Sequence, residues 1–452
     1  MSDILLLTVG MQPAPLINCI RSQRPQRVVF LCSDGTRAKV DEVLNAVPIP
    51  RFDAEQDVVV LSQRRRRKDQ DVINELDRLD CVYSTAWELL QRLRREEPAA
   101  RISVDYTGGS KTMAAGLAMA AVDDGRVQVL LTSTEQRPTS GEVSGATLPT
   151  PTPIASIQRT RLLEVELVSL LKRYDYAAAA AQVHRVRTQP AVSGDDAQQL
   201  LRLEYQLMAL DAWDRFDHRQ AQINFDQISL DERSKPLLHS LNRVVSSRAV
   251  LDALPGQDKW PMQRGHGLEA VEDLLHNAQR RASQERYDDA VGRLYRATEL
   301  TAQLLLKLAV TDKVGPSGID TGNVDLDRLP DEIQPQWRDN AARKTTGQPG
   351  AIFKIALADA YDLLADLGHP TGLKWKQRRS EMVNVLEIRN KSLFAHGFSP
   401  VGYGGWRQLS GMLGDFLIEA VERHRTENNS GPSLGTKLPQ LPCNLEELFS
   451  DN

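Results

Sequence analysis

Between Ile388 and Gly397 the chain reads Ile-Arg-Asn-Lys-Ser-Leu-Phe-Ala-His-Gly, which places a guanidinium at Arg389 and an imidazole at His396. Seven positions are about two helical turns, so on one continuous helix, expected over about 376–396, the two groups share a face. An imidazole titrating near neutral pH can move the proton of a ribose 2′-hydroxyl or of a leaving oxygen. A fixed guanidinium can meet the negative charge that grows on a phosphate. That pairing suits breakage of an RNA phosphodiester without a metal. One imidazole is half of an acid and base pair, and a two-fold homodimer would supply the other half. Gly397 is expected to end the helix, whose C-terminus favours a protonated imidazole.

A second constellation lies near the other end. Asp105-Tyr106-Thr107-Gly108-Gly109-Ser110-Lys111-Thr112-Met113 follows an apolar run and precedes a helical stretch. Its glycines let backbone approach a ligand closely, the helix N-terminus offers free amides, and Lys111 adds positive charge, so phosphate or ribose is the expected guest. Ser110 and Asp105 stand where a Walker A loop needs its two glycines, and no Gly-x-Gly-x-x-Gly follows the first strand. Nucleotide hydrolysis and dinucleotide redox chemistry both lose support.

The elements that must position these groups follow from periodicity. Continuous apolar runs at 4–10, 27–33, 57–61, 101–105 and 127–134 read as strands buried on both faces. They alternate with helical stretches at 14–23, 37–47, 69–96 and 111–122, which implies a Rossmann-like, mostly parallel sheet covered on both sides. Ligands of such sheets sit beyond the carboxyl ends of the strands, where Thr8, Val9, Gly10 and Met11 end the first run and Ser33 and Asp34 the second. Residues 156–250 read as helical, and from Leu268 onward long helices suggest a bundle, with 312–348 a long loop. The fold class expected is α/β plus all-α.

The nine residues Asp105 to Met113 resemble the signature loop of CARF domains, the sensors of cyclic oligoadenylates in type III CRISPR systems. The Arg389 to Gly397 segment resembles the Arg-x4-6-His signature of HEPN ribonucleases. Together, in this order, they resemble the CARF–HEPN ancillary ribonucleases of those systems. The resemblance implies an activator held by Thr107, Gly108, Gly109, Ser110 and Lys111, with Thr8, Gly10, Met11, Ser33 and Asp34 lining the pocket. It implies a cyclic tetra- or hexa-adenylate lying on a dimer's two-fold axis, with no further cofactor and no metal. It also implies a catalytic set of Arg389, Asn390 and His396 acting on single-stranded RNA, Asn390 placing the scissile phosphate or bracing the partner's histidine. Glu299, one turn beyond Tyr295, is the carboxylate expected to hold Arg389. Two other readings stay open: a ligand-gated regulator without nuclease activity, and a CARF domain that also cleaves its own activator through Thr107 or Ser110.

The chain has 452 residues, 41% of them hydrophobic, enough for about three domains of roughly 150 residues. The expected divisions are a CARF domain over 1–150, a helical connector over 151–262, a HEPN domain over 263–427 and a tail over 428–452 with a short helix at Leu445 to Phe449. Thr150-Pro151-Thr152-Pro153 marks the first boundary. A net charge of −4 argues against broad affinity for duplex nucleic acid, so RNA contacts should be local. Two basic stretches are noted. Gln63 to Asp69 holds five consecutive cations and reads as a solvated helix start, and Lys374-Trp375-Lys376-Gln377-Arg378-Arg379 offers charge and one ring to guide RNA. Four cysteines without metal spacing and no membrane-length run point to a cytoplasmic protein with no membrane partner. Arg173-Tyr174-Asp175, Arg215-Phe216-Asp217 and Arg286-Tyr287-Asp288 each precede a helix and read as recurring helix starts; His184, His218 and His239 read as ordinary helical residues.

Overall fold

A computed structural model of the full chain describes residues 3–65, 72–133, 148–189, 192–229, 234–249, 265–309, 323–344, 352–393, 397–427 and 436–448. The chain divides into two compact units, residues 1–167 with 181–201, and residues 168–180 with 202–452.

The first unit is built on a six-stranded sheet of order β3-β2-β1-β6-β7-β8. Strands β1 (Asp3–Thr8), β2 (Arg27–Ser33), β3 (Val58–Leu61), β6 (Arg101–Asp105) and β7 (Gln128–Ser133) run parallel, while β8 (Leu148–Pro151) lies antiparallel at the edge. Two short strands, β4 (Gln63–Arg65) and β5 (Val72–Asn74), pair separately, so the first residues of the basic run enter a hairpin and not a helix start. Helices α1 (Ala14–Gln23), α2 (Arg37–Ala46), α3 (Leu79–Glu96) and α4 (Lys111–Asp124) cover the sheet. Side chains of β1 alternate between the layers, as a strand's two-residue period requires. Leu5 and Leu7 pack with Leu16, Ile20 and Val40 of α1 and α2, whereas Ile4 and Leu6 pack with Val82, Leu90 and Leu117 of α3 and α4.

The expected boundary at residue 150 falls inside this sheet. Pro149 and Pro151 sit on β8, an edge strand, where a missing amide costs no ladder bond to a further neighbour.

The second unit is helical. Its hairpin turns join α6 (Leu167–Lys172) to α7 (Tyr176–Arg187), α8 (Gly194–Asp214) to α9 (His218–Phe225), and α11 (Glu269–Ser283) to α12 (Tyr287–Ala309), with residues 181–201 of α7 and α8 counted in the first unit. Helix α10 (Ser234–Ala249) lies between the last two pairs in sequence. Each turn closes through one left-handed residue, Tyr174 (φ 54°), Phe216 (φ 64°) and Glu285 (φ 61°). The amide after each donates five residues back, as in Asp217 N to Ala212 O at 2.9 Å. The three Arg-aromatic-Asp triplets thus mark helix turns, the third lying two residues further along its turn than the other two.

The largest core joins α11 and α12 to α13 (Gln334–Lys344), α14 (Leu357–Asp366), α15 (Pro370–Gln377), α16 (Arg379–Asn390), α17 (Tyr403–Leu409) and α18 (Asp415–Glu427). The region expected as a loop over 312–348 holds strand β9 (Asn323–Asp325), paired with β10 (Ile352–Lys354), and helix α13. The expected tail is also structured: Leu438, Leu441 and Leu448 are buried, Tyr176 Oη donates to Pro442 O at 2.6 Å, and Leu445–Leu448 forms a turn instead of a helix. Leu438 and Leu441, three apart, pin an extended segment here. No described helix is long and apolar enough to cross a membrane.

Two histidines of this unit carry a pH dependence. Burial lowers the pKa of His424, whose Nε2 lies 2.9 Å from His266 O, and burial lowers that of His369. With folded values below the unfolded value of about 6.5, their stabilisation is complete above pH 6.5 and is lost as pH falls through the folded values. Thermal melts from about pH 7.5 down to about 5.5 should therefore show falling stability, and His424→Gln, which keeps a donor but cannot charge, should flatten the slope. An identical slope in the variant would discard this assignment.

Candidate functional sites

Between the parallel strands β1 and β6 the order in which strands are added reverses, the switch point where open α/β sheets bind ligands at their carboxyl edge. Two loops meet there, backbone against backbone. A side chain at Gly108 would stand 2.2 Å from Thr8 O, and one at Gly10 would stand 2.9 Å from Gly109 N, so neither position tolerates a Cβ without separating the loops. Thr8 is fully buried and its hydroxyl donates to Gly108 O at 2.7 Å. Gly109 has φ +82°.

Asp105 ties the loop to β7. Its carboxylate accepts from Thr107 N at 2.8 Å and from Thr132 Oγ1 at 2.5 Å, while Thr132 N donates to Thr107 Oγ1 at 2.6 Å. Ser110 caps α4 by accepting from Met113 N at 3.2 Å. The amides of Lys111 and Thr112, in the first turn, have no helical acceptor. Lys111, Ser110, Met11 and Asp34 are exposed around this opening.

The sequence-predicted residues therefore divide. Gly10, Gly108 and Gly109 form the close contact of the two loops, and Lys111 with the free α4 amides gives the opening a positive edge. Ser33 turns its hydroxyl into a local box, accepting from Thr36 N at 3.2 Å, and is buried, so it shapes the opening from beneath. Asp105 and Thr132 act through Thr107 and were missed as site residues; Asp105 stood in the motif, whereas Thr132 had only its place at a strand end. Burial, then the charge of Asp105, push the Cys19 thiol far up, so it is a neutral core group.

In the helical unit, α16 ends at Asn390 with Lys391 as its cap, and α15 breaks from it at Arg378. The helix expected to run through 396 stops at Asn390, so the shared helical face expected for Arg389 and His396 has no support. His396 lies outside the described residues. Beyond the helix the chain folds back: Gly397 N donates to Ser392 O at 3.3 Å and Ser399 N to Lys391 O at 3.1 Å. A Cβ at Gly397 would meet Lys391 O at 2.1 Å. The glycine permits a tight return beside the helix end and does not stop the helix.

Arg389 is half-buried, with its guanidinium 4.1 Å above the ring centroid of Tyr295 on α12. It bonds Asn390 Oδ1 at 3.3 Å, its Nε is buried without a hydrogen-bond partner, and among the described residues no carboxylate pairs with it. Glu299, expected to hold it, instead pairs with Arg296 at 2.7 Å. Arg296 is three residues away on the same helix and wins the carboxylate by proximity. An aromatic face now does the orienting, which leaves the guanidinium's charge available to an incoming anion. Burial raises the pKa of Tyr295, so the ring stays neutral.

The basic stretch before α16 displays no ring for base stacking. Trp375 is fully buried and stacks on Tyr361 at 4.4 Å, and Lys376 and Arg379 are held by Asp366 and Asp362 at 3.0 and 2.9 Å. Lys374 pairs with Glu419 and Arg378 with Glu381. The ring belongs to the core and the charges to surface pairs.

Residues 263–419 match the family model of the Csm6 HEPN domain. Among solved structures, the chain is similar to Enterococcus italicus Csm6 bound to cyclic hexa-2′-fluoro-hexa-dAMP, at 12% identity and a TM-score of 0.57, over 95% of this chain and 99% of that one. At that identity the likeness concerns the fold. Can2 from Sulfobacillus thermosulfidooxidans in complex with cyclic tetra-adenylate is matched at 13% identity over 49% of this chain and 68% of that one, with a TM-score of 0.22, too low to support an argument. No curated protein matches the sequence.

Proposed function

For a chain that joins a CARF-type sheet to a HEPN domain of the Csm6 family, the build of the CRISPR ancillary nucleases, we propose a cyclic-oligoadenylate-activated endoribonuclease cleaving single-stranded RNA without a metal. The observation that carries this reading is the Csm6 HEPN match over 263–419, which contains Arg389, Asn390 and His396 together. The guanidinium over Tyr295, paired with no carboxylate among the described residues, supports it, since a cation meant for a scissile phosphate must not be neutralised by its own chain.

In this reading His396 takes the proton of the ribose 2′-hydroxyl or returns one to the leaving 5′-oxygen, and Arg389 stabilises the charge on the phosphorane. Attack by the 2′-oxygen forms its bond to phosphorus as the bond to the 5′-oxygen breaks, leaving a 2′,3′-cyclic phosphate and a 5′-hydroxyl. A homodimer would contribute two Arg389 and two His396 groups, so that one imidazole acts as base and the other as acid. Exposed Leu393, Phe398 and Tyr403 near that segment suit burial against a second copy. The activator would be a cyclic tetra- or hexa-adenylate, its phosphates on Lys111 and the first amides of α4, and its bases over the glycine floor. Each bound ligand would favour the cleavage-competent state by about 1 to 3 kcal/mol.

The test is labelled RNA incubated with the protein, EDTA and each cyclic adenylate. Cleavage that needs the ligand, survives EDTA and leaves a cyclic phosphate end is expected. Intact RNA alongside tight ligand binding would favour a regulator without nuclease activity.

A further inference from the structure

The second unit contains a cleft of about 470 Å³ that neither proposed site uses. It is lined by Arg173, Arg215, Arg281, Arg286 and Arg293, and by Tyr174. Three of these arginines come from the three hairpin turns, the Arg-aromatic-Asp triplets of the sequence. The first and third turns are tied together, since Gln284 Nε2 donates to Arg173 O at 2.5 Å. The volume is that of an ordinary small-molecule site.

The charges within it do not balance pair by pair. Asp214 is shared, accepting from Arg280 Nε at 2.7 Å and pairing with Arg281 as well. Asp289 is shared between Arg286 and Arg293, the latter at 3.5 Å. Asp211 serves Arg215 at 2.9 Å, and Asp175 accepts from Ala178 N at 3.2 Å as a helix cap. Arg173 has no carboxylate among the described residues. The Nε atoms of Arg281 and Arg293 are buried without partners. Burial, followed by the neighbouring guanidiniums of Arg293 and Arg286, lowers the pKa of Arg281; burial does the same to Arg293. Crowded, partly desolvated cations with spare donors are what an anion would relieve.

Arg286, immediately before α12, and Arg293 on it are seven positions apart and share a side, while Tyr295, which carries Arg389, faces nearly the opposite way. The cleft is therefore separate from the guanidinium proposed for cleavage.

We propose that this cleft is a second anion site, taking a phosphate-bearing ligand of nucleotide size, with its phosphates among the arginines and Tyr174 beside its base or sugar. The proposal stands whether or not the ribonuclease reading holds. The phosphate could belong to a free nucleotide or polyphosphate, or to the 5′-end of an RNA strand. Calorimetry on the full chain with inorganic pyrophosphate, adenosine 5′-monophosphate, 5′-phosphorylated hexauridylate and its 5′-hydroxyl twin separates these. At least one phosphate-bearing probe should saturate, and Arg173→Gln with Arg293→Gln should weaken it about tenfold or more, while Arg389→Ala leaves it unchanged. Arg173 is exposed, so Arg173→Gln alone tests the site without risk to the fold. Preference for the 5′-phosphorylated strand over both small probes identifies an RNA end, and the reverse a free metabolite. If no probe saturates, or if the cleft variants bind as the wild type does, the proposal fails.

Discussion

Arg389→Ala and His396→Ala should each lower ligand-stimulated RNA cleavage by about 10² to 10⁴, with activator binding to the N-terminal unit unchanged. For Arg389 the expectation rests on geometry. The guanidinium lies 4.1 Å over Tyr295, keeps a buried Nε without a partner, and is matched by no carboxylate among the described residues. Such a cation costs stability unless an anion arrives, so its removal should harm catalysis far more than folding. Arg389→Lys should recover little, because an ammonium cannot both lie flat on the ring and bind phosphate bidentately. Tyr295→Leu should fall between, since it removes the platform and leaves the charge. For His396 the expectation rests on the HEPN resemblance and on the return of the chain at Gly397. If either alanine variant cleaves at the wild-type rate, the Arg/His mechanism is wrong.

Gly108→Ala should both destabilise the sensor unit and abolish activation. The added methyl would stand 2.2 Å from Thr8 O and 3.0 Å from Gly10 N, and backbone on both sides cannot yield as a side chain would. The loops after β1 and β6 must part, at a cost of about 1 to 3 kcal/mol by comparison with overpacked cores. Because the same loops form the proposed adenylate floor, activator affinity should drop at least about tenfold along with the melting temperature. Lys111→Ala supplies the contrast. Its side chain is exposed, so the melting temperature should hold while affinity falls. If Gly108→Ala melts lower but binds the activator normally, the ligand does not sit on this floor.

The sequence by itself determined the parallel sheet and the two glycine-bearing loops at its carboxyl edge. Runs such as Ile4 to Leu7 and Val28 to Leu31 have nowhere to go but between two helical layers, and a glycine pair after β6 has one physical use. It also marked Arg389 and the Arg-aromatic-Asp turns, since those signals are local. Only the tertiary structure decided which groups meet. Trp375 went to Tyr361 and the core because a large ring gains more from burial than from display. Glu299 went to Arg296 because a neighbour on the same helix outcompetes a distant partner. The helix of Arg389 stops at Asn390, and Gly397, where a Cβ would meet Lys391 O, lets the chain return beside that end, a contact that spacing cannot reveal. Pairing and packing depend on what the rest of the chain brings near, and periodicity carries no record of that.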